Sequence, residues 1–235
     1  MGEKVKIEQD LTLMIYNKIK EMILNRDLLP GEKINQKDLA DQFGTSRTPI
    51  VYALHKLESE GIVDNLPNMG FYVHKLSINE LLNLFYIREF LEVLAVQDLV
   101  DNATDGELQK LKELFNPYLD IEEFDQDEYR KADMKFHSEI IAHCSNTIAK
   151  KINENFQIFS RSYTAGLIRP SSMTLEEHEE IIDSLIERNK EKAEQAIKNH
   201  ILITKNILQD TVNNLKKIKI NPDNIYIDEV DFNDN

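Results

Sequence analysis

Cysteine is almost missing from this sequence: Cys144 is the only one in 235 residues. A lone cysteine excludes an internal disulfide framework and any multi-cysteine zinc site. Glycine and proline are sparse too, at seven and six. That scarcity argues against low complexity and against a turn-rich all-β protein. The opening MGEKVKIEQD lacks the apolar core of a signal peptide. No stretch reaches the roughly eighteen apolar residues that a membrane-spanning helix needs. These absences predict a soluble, cytoplasmic protein. Hydrophobic residues make up 41% of the chain and charged ones 30%, which suits helices with long solvated faces. The length fits one large domain or two small ones.

The charge is unevenly spread. The whole chain carries −14. Residues 1–75 hold ten Lys/Arg and eleven Asp/Glu, a net of 10 − 11 = −1, which leaves −13 for the remainder. The near-neutral part can approach a polyanion, and the acidic part is repelled by one. Within the first part, Gly44–Lys56 contains Arg47, His55 and Lys56 and no acid.

Hydrophobic spacing predicts a helix over 9–25, a Pro30-Gly31 turn, a short helix ending at Gly44, and a third helix capped by Ser46 and stopped by Gly61. Two β-prone runs around Pro67–Gly70 predict a hairpin. Ser77-Ile78-Asn79-Glu80 opens a helix to about Val100. Segments 105–120, 126–144, 147–167, 174–188 and 190–217 keep helical spacing. The tail from Asn221 has five acids and no base, and is expected to fray. The fold class is therefore mainly α. A DNA-binding domain is expected over 1–75, an all-α bundle over 76–219 and a disordered acidic tail over 220–235.

Helix, short helix, helix and hairpin within about 70 residues is the winged helix-turn-helix order, whose third helix enters the DNA major groove. Thr45, Ser46, Arg47 and Thr48 lie at that helix's start, where hydroxyls and free N–H groups suit phosphate oxygens and an arginine can fork onto guanine. Asn68 and Gly70 stand at the wing tip. The same order also describes an ordinary small α/β unit with a solvated helix.

A second constellation lies in the acidic part. Asp133 and His137 are four apart on one helix face, His178 opens another helix, and His200 lies inside the last one. Three imidazoles and a carboxylate that converge in a bundle suit zinc, nickel, manganese or iron(II), and are too nitrogen-rich for calcium or magnesium. Each histidine taken alone is more often a hydrogen-bonded core residue than a ligand.

LPGEKINQKDLADQFGTSRTPIVYALHKLESEGIV followed by NMGFYV resembles the amino-terminal domain of GntR-family transcription regulators over residues 10–75. The resemblance implies a basic contact at Lys37. It departs at Ile50–Leu54: the family's usual S-R-T-P-V-R-E-A-L has its second arginine replaced by Val51 and its glutamate by Tyr52. D-x-x-F-H, E-H-x-x-I and a third His 22 residues on resemble the metal-binding FCD type of FadR-like effector domain over residues 78–216. That resemblance implies Asp133, His137, His178 and His200 as metal ligands. It also implies Arg88 as a cavity residue able to clamp a carboxylate, the other reading being a surface salt bridge with Glu92. Arg161 and Arg169 are expected at the surface.

Three function classes compete. An enzyme is disfavoured: H-E-x-x-H and the P-loop are missing, and His137-Ser138-Glu139 lacks the cysteine pair of zinc deaminases. A metal-sensing regulator would use the ligands alone. A ligand-responsive regulator would use the metal to hold a small carboxylate effector, bind a pseudo-palindromic operator as a homodimer, and in the family's common mode repress.

Overall fold

The computed structural model describes residues 2–119, 124–156 and 168–230. The chain divides into two compact units, Met1–Lys75 and Leu76–Asn235. Among the described residues no helix is long and apolar enough to cross a membrane.

The first unit holds α1 (Gly2–Leu24), α2 (Gln36–Gln42), α3 (Arg47–Ser59) and the antiparallel strands β1 (Val63–Leu66) and β2 (Gly70–Val73). Helix α1 starts earlier than its apolar periodicity predicts. Ile15, Ile19 and Ile23 of α1 meet Leu39 of α2, Ile50, Leu54 and Leu57 of α3, and Phe71 of β2 in one core. Asn35 caps α2 by accepting from the Lys37 and Asp38 amides. Gly44 takes a left-handed backbone (φ 62°) and lets the chain leave α2. The hairpin registers Val63 with Val73 and Leu66 with Gly70. Asn68 (φ 61°) and Gly70 (φ 96°) supply its left-handed turn residues. The segment after Pro30 pairs with β2 through Ile34 N–H to Phe71 O, 2.8 Å, and Gly31 N–H to Val73 O, 2.9 Å.

The second unit is helical: α4 (Ile78–Asn102), α5 (Asp105–Glu113), α6 (Gln126–His143), α7 (Thr147–Phe156), α8 (Ser171–Ile186) and α9 (Lys190–Lys217). Helices α4 and α9 pack lengthwise, α8 lies against α9, and α6 packs on α4. Leu91, Ala95, Leu99, Phe136, Ile140, Ile181, Leu185, Ile197 and Ile201 fill the space between them. Caps mark the starts as the sequence implies. Ser77 Oγ accepts from the Glu80 amide, and Thr104 with Glu107 forms a reciprocal capping box.

The expected frayed tail is corrected up to residue 230. Short 3-10 turns occupy Pro222–Asn224 and Ile227–Glu229. Pro222 and Ile227 are buried, the latter in the bundle core. The amide of Ile78 donates to Ile225 O (2.9 Å), that of Ile227 to Leu76 O (3.3 Å), and Asn79 Nδ2 to Asp223 Oδ1 (2.8 Å). Apolar Ile225 and Ile227 outweigh the acidic composition because the first turn of α4 offers N–H groups without helical partners.

Candidate metal centre and DNA-reading face

Three helices bring four polar residues to one point in the second unit. Helix α6 supplies Asp133 and His137 one turn apart, α8 supplies His178, and α9 supplies His200. All four are buried, and their candidate donor atoms lie within 4.8 Å of one another. His137 Nε2 stands 3.3 Å from His178 Nε2 and 3.2 Å from His200 Nε2. Asp133 Oδ1 is 2.9 Å from His178 Nε2 and 3.7 Å from His137 Nε2. Donors held at about 2.0–2.2 Å around one ion would lie roughly 2.9–3.6 Å apart; the 2.9, 3.2 and 3.3 Å separations fall in that range and the 3.7 Å one lies just outside it.

What surrounds the imidazoles fixes where their protons sit. His200 Nδ1 donates to Glu177 Oε2 at 2.8 Å, and His137 Nδ1 donates to Glu92 Oε2. His178 Nδ1 meets the Tyr129 hydroxyl at 3.1 Å. That hydroxyl is also 2.9 Å from Thr174 Oγ1, which donates to Ser171 O at 3.1 Å. The threonine proton is thus committed to the carbonyl. Tyr129 then gives its proton to Thr174 and accepts from His178 Nδ1. Burial and the nearby Asp133 charge push the Tyr129 pKa up, so the phenol stays protonated. With all three Nδ1 atoms protonated, three Nε2 lone pairs and one carboxylate face one another inside the bundle. Such a set is repulsive until a cation enters. The residues therefore fit a metal, and this group is one that could hold it.

Burial also decides the charges. It lowers the His178 pKa to about 3 against the pull of Asp133, and it lowers His200 against the pull of Glu177. The His178 and His200 imidazoles are thereby kept neutral and available as ligands.

Two of the three histidines are braced by ion pairs, Arg88–Glu92 fully buried and Arg169–Glu177 half-buried at its carboxylate. Arg88 Nε donates to Glu92 Oε1 at 2.9 Å, so an arginine, a glutamate and His137 form a line. Arg169 forks onto Glu177, with Nη1 at 2.8 Å from Oε2, and Glu177 receives His200. Burial opposes ionisation of both glutamates. Against it, His137 and Arg88 hold Glu92 at about 2, and His200 and Arg169 hold Glu177 at about 2. Arg169 was expected at the surface and is instead buried, because Glu177 and the His200 carbonyl satisfy its guanidinium. The Arg88–Glu92 pair is present but buried, not at the surface. Arg161 lies outside the described residues.

Glu177, Tyr129 and the inward role of Glu92 were not recognised from sequence. A signal for Glu92 existed: Phe85, Arg88, Glu92, Ala95 and Leu99 follow helical core spacing, so two charges sit in an apolar register.

In the first unit, Ser46, Arg47 and Thr48 are exposed and Thr45 is half-buried at the start of α3. Ser46 occupies the N-cap position but makes no cap hydrogen bond, contrary to expectation, which leaves its hydroxyl outward. The first turn of α3 has no acid. Lys37 is exposed on the first turn of α2, and Asn68 is exposed at the hairpin tip beside half-buried Gly70. His55 of α3 packs edge-on against Phe71 of β2 at 5.1 Å, fixing the wing to the helix.

Residues 11–73 match the bacterial regulatory proteins of the gntR family, and residues 83–202 match the FCD domain. The chain is 33% identical over 195 residues to the HTH-type transcriptional regulator YdhC of Bacillus subtilis, covering 80% of this chain and 86% of that one. It is 24% identical over 197 residues to the HTH-type transcriptional repressor RspR of Escherichia coli, covering 82% and 86%. The solved structure of McbR/YncC from Escherichia coli superposes with a TM-score of 0.73 at 25% identity, over 86% of this chain and 99% of that one. Two matched domains in the order of a winged helix and a helical bundle leave no room for an enzyme reading: the chain belongs to the GntR family of DNA-binding transcription regulators, with an FCD domain as its second unit.

Proposed function

We propose that this regulator is a cytoplasmic repressor that binds a pseudo-palindromic operator as a homodimer and responds to a small carboxylate at a metal centre in its FCD unit. Asp133, His137, His178 and His200 hold one divalent transition metal, from among zinc, nickel, manganese and iron(II). The observation that carries this reading is the inward convergence of three Nε2 atoms and one carboxylate, each Nδ1 meeting a partner elsewhere. Arg88–Glu92 and Arg169–Glu177 are internally neutral pairs, so Asp133 (−1) with a divalent ion (+2) leaves a net +1 in an apolar bundle. When bound, the metal supplies a Lewis-acidic point that favours an anionic oxygen. Arg88 holds Glu92 through its Nε and is the proposed contact for the effector's carboxylate. On the DNA side, Arg47 and Thr48 meet bases and phosphates. Thr45, Ser46 and Lys37 meet phosphates, and the Asn68–Gly70 wing lies against the adjoining groove. An effector acts only as far as it binds the DNA-competent and DNA-incompetent arrangements differently.

The test is metal analysis of the purified chain and of His178→Ala and His200→Ala, followed by thermal shift with acetate and citrate. Metal content, melting temperature and the carboxylate shift should fall together in both variants. Full occupancy with an unchanged melting temperature in both would mean that these are core histidines. A response of operator affinity to metal, with none to any carboxylate, would turn the reading into a metal sensor.

A further inference from the structure

One side chain on the recognition helix has no role in what precedes. Tyr52 lies in the middle of α3 and is 65% exposed. The other described tyrosines are engaged. The Tyr16 hydroxyl donates to Glu60, that of Tyr86 to Gln209, and Tyr129 holds His178. Tyr72 lies under the Lys33 ammonium, Tyr118 packs on Phe124, and Tyr226 bridges to Ser77. Tyr52 has no such partner among the described residues.

Its position says what it faces. Ile50, Ala53, Leu54 and Leu57 turn the buried side of α3 into the core. Thr48, one turn before Tyr52, and His55, one turn after, share its exposed side. Thr48 on that side, and Arg47 beside it, are exposed at the helix start. This is the side that a winged helix turns to the major groove. An uncharged ring adds nothing to the attraction of phosphates. It offers apolar area and one hydroxyl, in a groove whose only apolar base group is the thymine 5-methyl. Val51, half-buried beside it, adds apolar surface and no hydrogen bond.

We propose that Tyr52 is a specificity-determining residue that packs its ring on a thymine 5-methyl group in each operator half-site. The proposal rests on DNA binding by this family and is independent of the metal centre.

The test begins with selection from random DNA using the full chain, Tyr52→Ala and Tyr52→Phe. Anisotropy titration at fixed salt then follows, with each thymine of the selected site replaced in turn by deoxyuridine, which lacks only the methyl. Wild type and Tyr52→Phe should select one thymine per half-site and lose about fivefold or more in affinity when that base becomes deoxyuridine. Tyr52→Ala should lose that preference and ignore the methyl. Because the residue is exposed, all three proteins should melt alike. An unchanged base preference in Tyr52→Ala overturns the proposal. So does wild-type indifference to deoxyuridine at every position. A uniform loss of affinity across all sequences also overturns it, since that marks a phosphate contact.

Discussion

A buried carboxylate beside an imidazole loses several kcal/mol of hydration unless something else compensates it. Glu92 and Glu177 each carry an arginine on their far side, so each can stay ionised and keep an N–H of its histidine pointed outward. Removing that charge without removing the acceptor isolates the effect. In Glu177→Gln the His200 Nδ1–H can still donate, but to a neutral oxygen, and Arg169 loses its counter-charge. Metal affinity, measured by competition with a chromogenic chelator, should drop by about 10- to 100-fold. An affinity equal to wild type would show that Glu177 serves packing only. Wild type that takes up no metal would instead sink the metal centre itself. The inward convergence of Asp133, His137, His178 and His200 was legible in sequence because their i, i+4 spacing and their helical registers face inward. Glu177 was not. It directly precedes His178 in a run of acids, Glu176-Glu177-His178-Glu179-Glu180, and nothing local says which of them turns inward. Arg169, seven residues before that run, selects it.

Helix starts in the bundle were legible because Ser77 and Thr104 are strong caps whose partners lie three residues on. What caps the outer amides of α4 was not, because the acceptor comes from almost 150 residues away, at Ile225 O. A local reading sees five acids and predicts solvent. The tertiary outcome is a strap that covers the first turn of α4 and buries Ile227. His74 N–H bonds to Ile62 O in the first unit, and Leu76 O accepts from Ile227 in the second. Ile227→Ala should therefore loosen the strap and cost about 2 kcal/mol. The Ile78 amide, which gives its proton to Ile225 O, should exchange with solvent markedly faster in this variant, as read by hydrogen exchange. Unaltered protection of Ile78 would mean that the backbone bonds hold the strap without Ile227.

At the scale of the whole chain, the charge boundary and the packing boundary coincide: residues 1–75 carry −1 and have their own core, and the rest carries −13 and has another. Each unit also has its own proposed ligand, DNA for the first and a metal for the second. A ligand that binds only the native form stabilises what it binds, by about 2.7 kcal/mol at 100 times its dissociation constant. Two cores with separate ligands should thus unfold as two calorimetric transitions that move independently. Zinc or nickel should raise one transition, and His200→Ala should abolish that rise. Operator DNA should raise the other, with the shift shrinking as salt increases because phosphate contacts release counterions. A single transition moved equally by metal and by DNA would contradict independent units. It would mean that the metal centre and the recognition helix belong to one cooperative body, in which effector binding reaches the DNA through shared stability and not through the junction at Lys75.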